Sequence, residues 1–140
     1  MTATEAGEPF RFPVRVYYED TDAAGVVYYA NYLRFLERAR AEWLSAQGFD
    51  AAALKRGRGI AFAVRRLEIE YLHPARLGDR LDVTFAVTGC GRAWLAARQA
   101  IARGDEQIVT ARVTVVCLDQ DRWRPVRIPA ELLRHTENTQ

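Results

Sequence analysis

An α+β fold, with an antiparallel sheet of five strands set against one long helix, is predicted by three features of this 140-residue sequence. Apolar residues recur at three- and four-residue steps in one long segment, residues 29–47. Elsewhere they alternate with polar residues in five separate runs. The last four runs follow one another through short connections, which favour antiparallel neighbours over parallel crossovers.

Residues 1–9 are small, acidic and turn-prone and are expected to form a loose tail. The first strand is read from Phe12 to Tyr18, where Val14, Val16 and Tyr18 alternate. An acid-rich loop, Glu19 to Gly25, follows. The helix then runs from about Tyr29 or Asn31 to Gln47. Tyr32, Phe35, Leu36, Ala39, Trp43 and Ala46 form its apolar stripe, with Arg34, Glu37, Arg38, Glu42 and Ser45 largely elsewhere. Asn31 is the candidate N-cap by residue type, and Gly48 stands where a left-handed C-cap belongs. Such a helix is roughly 25 Å long, close to the width of five strands about 4.8 Å apart.

Residues Asp50 to Gly59 read as an irregular basic connection. Leu67, Ile69 and Tyr71 then alternate with Arg66, Glu68 and Glu70 in a strand from Ile60 to Tyr71, and residues 73–79 have the composition of a turn. Leu81 to Val87, Arg92 to Ala102 and Val109 to Cys117 complete the strands. Residues 119–124 form a polar turn, Pro125 to Leu133 a short terminal segment, and residues 134–140 a second tail. Nothing marks a linker or an internal repeat, so residues 1–140 are expected to form a single domain. One helix covers one face of such a sheet, and the other face must meet solvent or another subunit. A homo-oligomer is therefore expected.

Composition narrows the function. A hydrophobic content of 49%, 27% charged residues and a net charge of +2 are ordinary for a soluble globular protein and give no nucleic-acid signature. Two cysteines, Cys90 and Cys117, are too few for a disulfide framework, and Cys117 reads as a buried free thiol. No apolar run reaches transmembrane length and no secretory leader is visible, so a cytoplasmic location is expected. His73 lies in a turn and His135 in the terminal tail, and neither accompanies a nucleophile elbow. Phosphate-loop, dinucleotide and zinc patterns are missing, and a calcium loop beginning at Asp20 fails at Ala24 and Asn31. Neither a metal nor a cofactor is expected. Lys55, Arg56 and Arg58 fit a solvated loop better than a phosphate site.

The acid loop is the sharpest chemical signal. Asp22 precedes the helix start, where a carboxylate is favoured in its charged form and unpaired amides are available. It can serve as a nucleophile or as a base toward water, with amides near Val27 to Tyr29 as oxyanion donors and Gly25 permitting close backbone approach. The same residues also fit a plain turn in which Asp20 and Asp22 cap backbone donors. Tyr17, Tyr18, Tyr28, Tyr29 and Tyr32 crowd this loop, and packing is the expected role for most of them.

The run Tyr17-Tyr18-Glu19-Asp20-Thr21-Asp22-Ala23-Ala24-Gly25-Val26-Val27-Tyr28, followed by Asn31-Tyr32-Leu33 and Glu37-Arg38-Ala39-Arg40, closely resembles the Tol-Pal-associated acyl-CoA thioesterases. These belong to the 4-hydroxybenzoyl-CoA thioesterase branch of the hotdog superfamily. The resemblance continues through Ala61-Phe62-Ala63-Val64-Arg65-Arg66, Glu70-Tyr71, Pro74-Ala75-Arg76-Leu77 and Val115-Val116-Cys117. It implies a hotdog fold, a sheet wrapped around a central helix. It further implies a homodimer or homotetramer with active sites at the dimer interface, and hydrolysis of a short-chain aliphatic or aromatic acyl-CoA. The catalytic carboxylate of that family falls on Asp22, and its carbonyl-polarising backbone amide on Tyr29. The coenzyme A part of the substrate maps onto no clear motif here. Many Tol-Pal-associated members carry histidine where this chain has Tyr29, whereas the 4-hydroxybenzoyl-CoA enzyme resembles it in having tyrosine. The amide survives that exchange, but a histidine side chain's acid–base role does not. A binding or scaffold protein for acyl-CoA or acyl carrier protein, with weak catalysis, is the alternative expectation.

Overall fold

Five strands form one antiparallel sheet in the order β1-β3-β4-β5-β2, so the two strands earliest in the chain occupy its two edges. The elements are β1 (Phe10–Arg15), α1 (Asn31–Ala46), α2 (Ala51–Arg58), β2 (Ile60–Tyr71), β3 (Arg80–Cys90), β4 (Trp94–Arg103) and β5 (Glu106–Asp119). They belong to a computed structural model that describes residues 8–133. Of the tails expected at residues 1–9 and 134–140, residues 1–7 and 134–140, including His135, lie outside the described residues. Among the described residues, no helix is long and apolar enough to cross a membrane.

The alternation read from the sequence decides which face is covered. Leu81, Val83, Phe85 and Val87 of β3 and Val109, Ala111, Val113 and Cys117 of β5 are buried on the helix side. The helix contributes Tyr32, Phe35, Leu36, Ala39 and Trp43, all buried, while Ala46 at its end is exposed. It packs on β1, β3 and β4. The opposite face carries Thr84, Arg98, Thr110 and Arg112 and is covered by no helix among the described residues. Cys117 is buried as a free thiol, as expected, and burial pushes its pKa up to about 11.

Four local expectations are corrected. Strand β1 ends at Arg15, and residues 18–20 form a short 3-10 turn rather than more strand. Asn31 does not cap α1. The N-cap position is Ala30, and the Asn31 side chain instead donates from Nδ2 to the Asp20 carbonyl at 3.0 Å. Residues 51–58 are helical, not irregular. Asp50 caps this second helix by accepting from the Ala52 amide at 3.2 Å, three alanines cost little side-chain entropy, Leu54 is buried, and Gly59 closes it at φ +66°. Its basic residues Lys55, Arg56 and Arg58 lie in the last turn, where they complement the helix dipole. Finally, a bulge between Val64 and Arg66 shifts the alternation inside β2. Phe62 therefore packs on the same side as Leu67 although strict alternation would put positions 62 and 67 on opposite faces.

The helix and the turn after β2 are tied by one buried bond. The Tyr32 hydroxyl accepts from the Ala75 amide at 3.0 Å, and both residues are buried. In Tyr32→Phe that amide loses its acceptor, at an expected cost of about 1–3 kcal/mol. Urea unfolding should show a lower midpoint at unchanged slope; an unchanged midpoint would rule out a net contribution from this bond.

Candidate active site

The acid loop is a small pinned hairpin. A backbone bridge joins Thr21 to Val27, the Asp22 amide donates to the Val26 carbonyl at 2.8 Å, and the Gly25 amide donates back to the Asp22 carbonyl at 3.0 Å. Gly25 turns the chain at φ +83°, a conformation that a side chain would strain. Asp20 lies beneath it, 7% exposed. Its Oδ2 accepts from the Tyr17 amide at 2.9 Å, and its carbonyl accepts from the Tyr28 amide at 3.0 Å as well as from Asn31. Asp20 is thus structural. Glu19 sits exposed beside it in the 3-10 turn.

Asp22 itself is exposed, and its Oδ1 accepts from the Ala24 amide at 2.8 Å. This is the capping turn that the residue types allowed. It occupies one carboxylate oxygen; Oδ2 takes no hydrogen bond among the described residues and stays open to a reacting molecule. The helix N-terminus begins at Asn31, nine residues later in the chain but joined to the loop through Asp20.

The amides considered for an oxyanion are not equivalent. Val27 donates to the Ala75 carbonyl at 2.8 Å and Tyr28 to the Asp20 carbonyl at 3.0 Å, so both are spent. The Tyr29 amide donates to no acceptor among the described residues. It stands immediately before the first turn of α1, where the helix dipole adds positive potential. An open carboxylate oxygen and an unspent amide therefore flank one loop, both on backbone fixed by hydrogen bonds.

Aromatic rings wall this region. Tyr29 meets Tyr71 edge-on at 6.1 Å between centroids, Tyr28 lies 5.1 Å from Tyr29, and Tyr71 lies 5.8 Å from Tyr32. Of the five tyrosines crowding the loop, only Tyr32 is core; Tyr17, Tyr18, Tyr28 and Tyr29 are exposed in this chain. The nearby turn is held by Arg103, which pairs with both Asp79 and Glu106. The charged hydrogen bond from Arg103 holds the Glu106 carboxyl below its ordinary range. His73 contacts the Gln107 carbonyl through Nδ1 at 2.9 Å, a position consistent with its structural reading. No group of three or more His, Cys, Asp or Glu side chains converges among the described residues.

Sequence reasoning missed a second feature, a cavity of about 580 Å³ between α1, α2 and the N-terminal half of β2. Trp43, Leu54, Phe62 and Phe85 form much of its wall, with Glu37, Arg40 and Lys55 as its charged members. Asp22 and Tyr29 are not among its lining residues. One of its walls is α2, which was not read from the sequence.

The family model of the thioesterase-like superfamily matches residues 16–135 of the chain. The acyl-CoA thioester hydrolase YbgC of Escherichia coli O6:H1 is 43% identical over 125 residues, covering 89% of this chain and 92% of that protein. Among solved structures, a probable thioesterase from Bartonella henselae superposes with a TM-score of 0.84 at 35% identity, over 87% of this chain and all of that one. A 1,4-dihydroxy-2-naphthoyl-CoA thioesterase from Synechocystis shares the fold, with a TM-score of 0.85 at 23% identity over 94% of this chain and 97% of that one.

Proposed function

Because the chain belongs to the thioesterase-like superfamily, has the hotdog fold and is a thioester hydrolase, we propose that it cleaves a short-chain aliphatic or aromatic acyl-CoA at the Asp22–Tyr29 loop. The observation that carries this reading is that one loop holds both the unspent Tyr29 amide and a carboxylate with one open oxygen. The amide donates to the thioester oxygen as negative charge develops there, a stabilisation worth several kcal/mol in such sites. Asp22 acts in one of two ways. As a base, it takes a proton from water while the hydroxide adds to the carbonyl; the C–S bond then breaks and the departing thiolate is protonated. As a nucleophile, it forms a mixed anhydride with loss of the thiolate, and water then hydrolyses the anhydride to the free acid.

The Tyr29 side chain has no base role in this scheme. The backbone amide is present whatever the side chain, so the scheme does not need the histidine found in many similar chains. A homodimer or homotetramer with its active sites at the dimer interface completes the proposal. It is supported by β2, an edge strand whose Val64 and Tyr71 are exposed in the single chain. A cytoplasmic place, an association with Tol-Pal genes and an acyl carrier protein as a further partner belong to the same reading. No metal or cofactor enters this scheme.

The test is a panel of aliphatic and aromatic acyl-CoAs, followed by release of free thiol. Turnover of at least one member, with one thiol per acid formed, is expected. Binding across the panel without turnover would replace the hydrolase by an acyl-CoA or acyl-carrier-protein scaffold.

A further inference from the structure

Arg40 is a charge that forms no ion pair among the described residues. It lies in the third turn of α1, half-buried, and lines the 580 Å³ cavity. Its Nη1 donates to Oε1 of Gln99 at 3.1 Å. Gln99 is 1% exposed, and its Nε2 donates to the carbonyls of Leu36 at 3.1 Å and Thr84 at 3.2 Å. Both amide hydrogens are thus committed, which leaves Oε1 to face the guanidinium. The anchor is neutral. No carboxylate among the described residues lies within ion-pair distance of Arg40; Glu37, also lining the cavity, acts on it only through a longer-range attraction. A half-buried guanidinium without a counter-ion is costly, and Gln99 holds it at the wall rather than releasing it to water.

We propose that this cavity is a binding site for an amphipathic carboxylate. The carboxylate would take the donors of Arg40 that Gln99 leaves free, and a hydrocarbon or aryl body would lie along Trp43, Phe62 and Phe85. Three features select that class. The guanidinium fork matches a carboxylate in two parallel hydrogen bonds. Arg40 and Lys55 set against Glu37 leave one net positive charge at the wall, which balances one negative charge, and apolar walls disfavour a doubly charged phosphate, which would need more donors to replace its water. The volume also falls among small-molecule sites, about 300–1,000 Å³. The carboxylate has two chemical sources: a free carboxylic acid, or the distal carboxylate of a dicarboxylic acyl thioester.

Binding can be measured without turnover, so this site and the hydrolase proposal fail separately. The full chain is titrated calorimetrically with octanoate and with octan-1-ol, which share a chain length and differ in charge. Octanoate is expected to bind about tenfold tighter or more. Arg40→Gln should erase that preference, and Arg40→Lys, which keeps the charge without the fork, should fall between. Equal affinity of the wild-type chain for the two probes would overturn the proposal, and so would an undiminished preference in folded Arg40→Gln. Two further arms identify the source. Preferential hydrolysis of suberoyl-CoA over octanoyl-CoA, lost in Arg40→Gln, assigns the carboxylate to the substrate. Competition by octanoate against both thioesters, lost in the same variant, assigns it to a free acid.

Discussion

Asp22→Asn should lower kcat by about 10²–10⁴-fold while leaving the thermal unfolding midpoint almost unchanged. The two halves of that expectation rest on different atoms. Oδ1 of Asp22 accepts the Ala24 amide and so shapes the turn. Asparagine keeps a side-chain oxygen at that place and is equally suited to such turns. What it loses is the charge and basicity that the chemistry needs. Asp22→Ala, by contrast, should lose the turn and the turnover together. Tyr29→Phe is the companion control. It removes the hydroxyl but keeps the amide, so its effect should stay within about tenfold, the scale of one modest hydrogen bond. Near-normal hydrolysis by folded Asp22→Asn would remove the proposed role of Asp22. A loss in Tyr29→Phe as large as that in Asp22→Asn would move the chemistry onto the phenol.

The reasons this site was partly legible are physical. A run of acids, a glycine and a helical period lie within a few residues of one another, and local sequence reports local geometry. The acids of Asp20 and Asp22 differ only in what surrounds them: Asp20 is buried under the Tyr17 amide, whereas Asp22 is exposed. Which amide is free was not legible, because the decision is made elsewhere in the chain. Val27 is spent on Ala75, a residue brought in across the sheet from the turn after β2. Sequence spacing carries no record of such a contact.

The fold shows the same division. Strands β3, β4 and β5 alternate through their central parts because one face is buried and the other open, and α1 has a stripe because it covers that buried face. Helix α2 was hidden by its own residues. Gly57 lowers its propensity and Lys55, Arg56 and Arg58 suggest a solvated loop, while the determinants that favour it are one cap at Asp50 and one buried residue, Leu54. Over only eight residues the favourable propensity of its three alanines is too weak alone, and those capping and tertiary contributions decide the helix. The cavity, which needs α2 as a wall, was lost to sequence reasoning for the same reason.

Gln99→Leu is the substitution with the largest expected cost in stability, about 2–4 kcal/mol, although leucine is close to glutamine in size and belongs in a core. The cost lies in what glutamine leaves behind. The carbonyls of Leu36 and Thr84 lose a donor, and the half-buried Arg40 guanidinium loses its side-chain acceptor among the described residues. Arg40→Leu should also destabilise, since Oε1 of Gln99 then has no donor. The double variant removes both members of the pair and adds apolar contact in their place, so it should be more stable than the sum of the single changes predicts by about 1–2 kcal/mol. Denaturant titration of all four proteins closes the cycle. Strict additivity would mean that Arg40 and Gln99 are not energetically joined, and Gln99 would then no longer account for where the guanidinium is held. The coupling expected here gives that single buried glutamine, set in an otherwise apolar row of β4, its reason to be there.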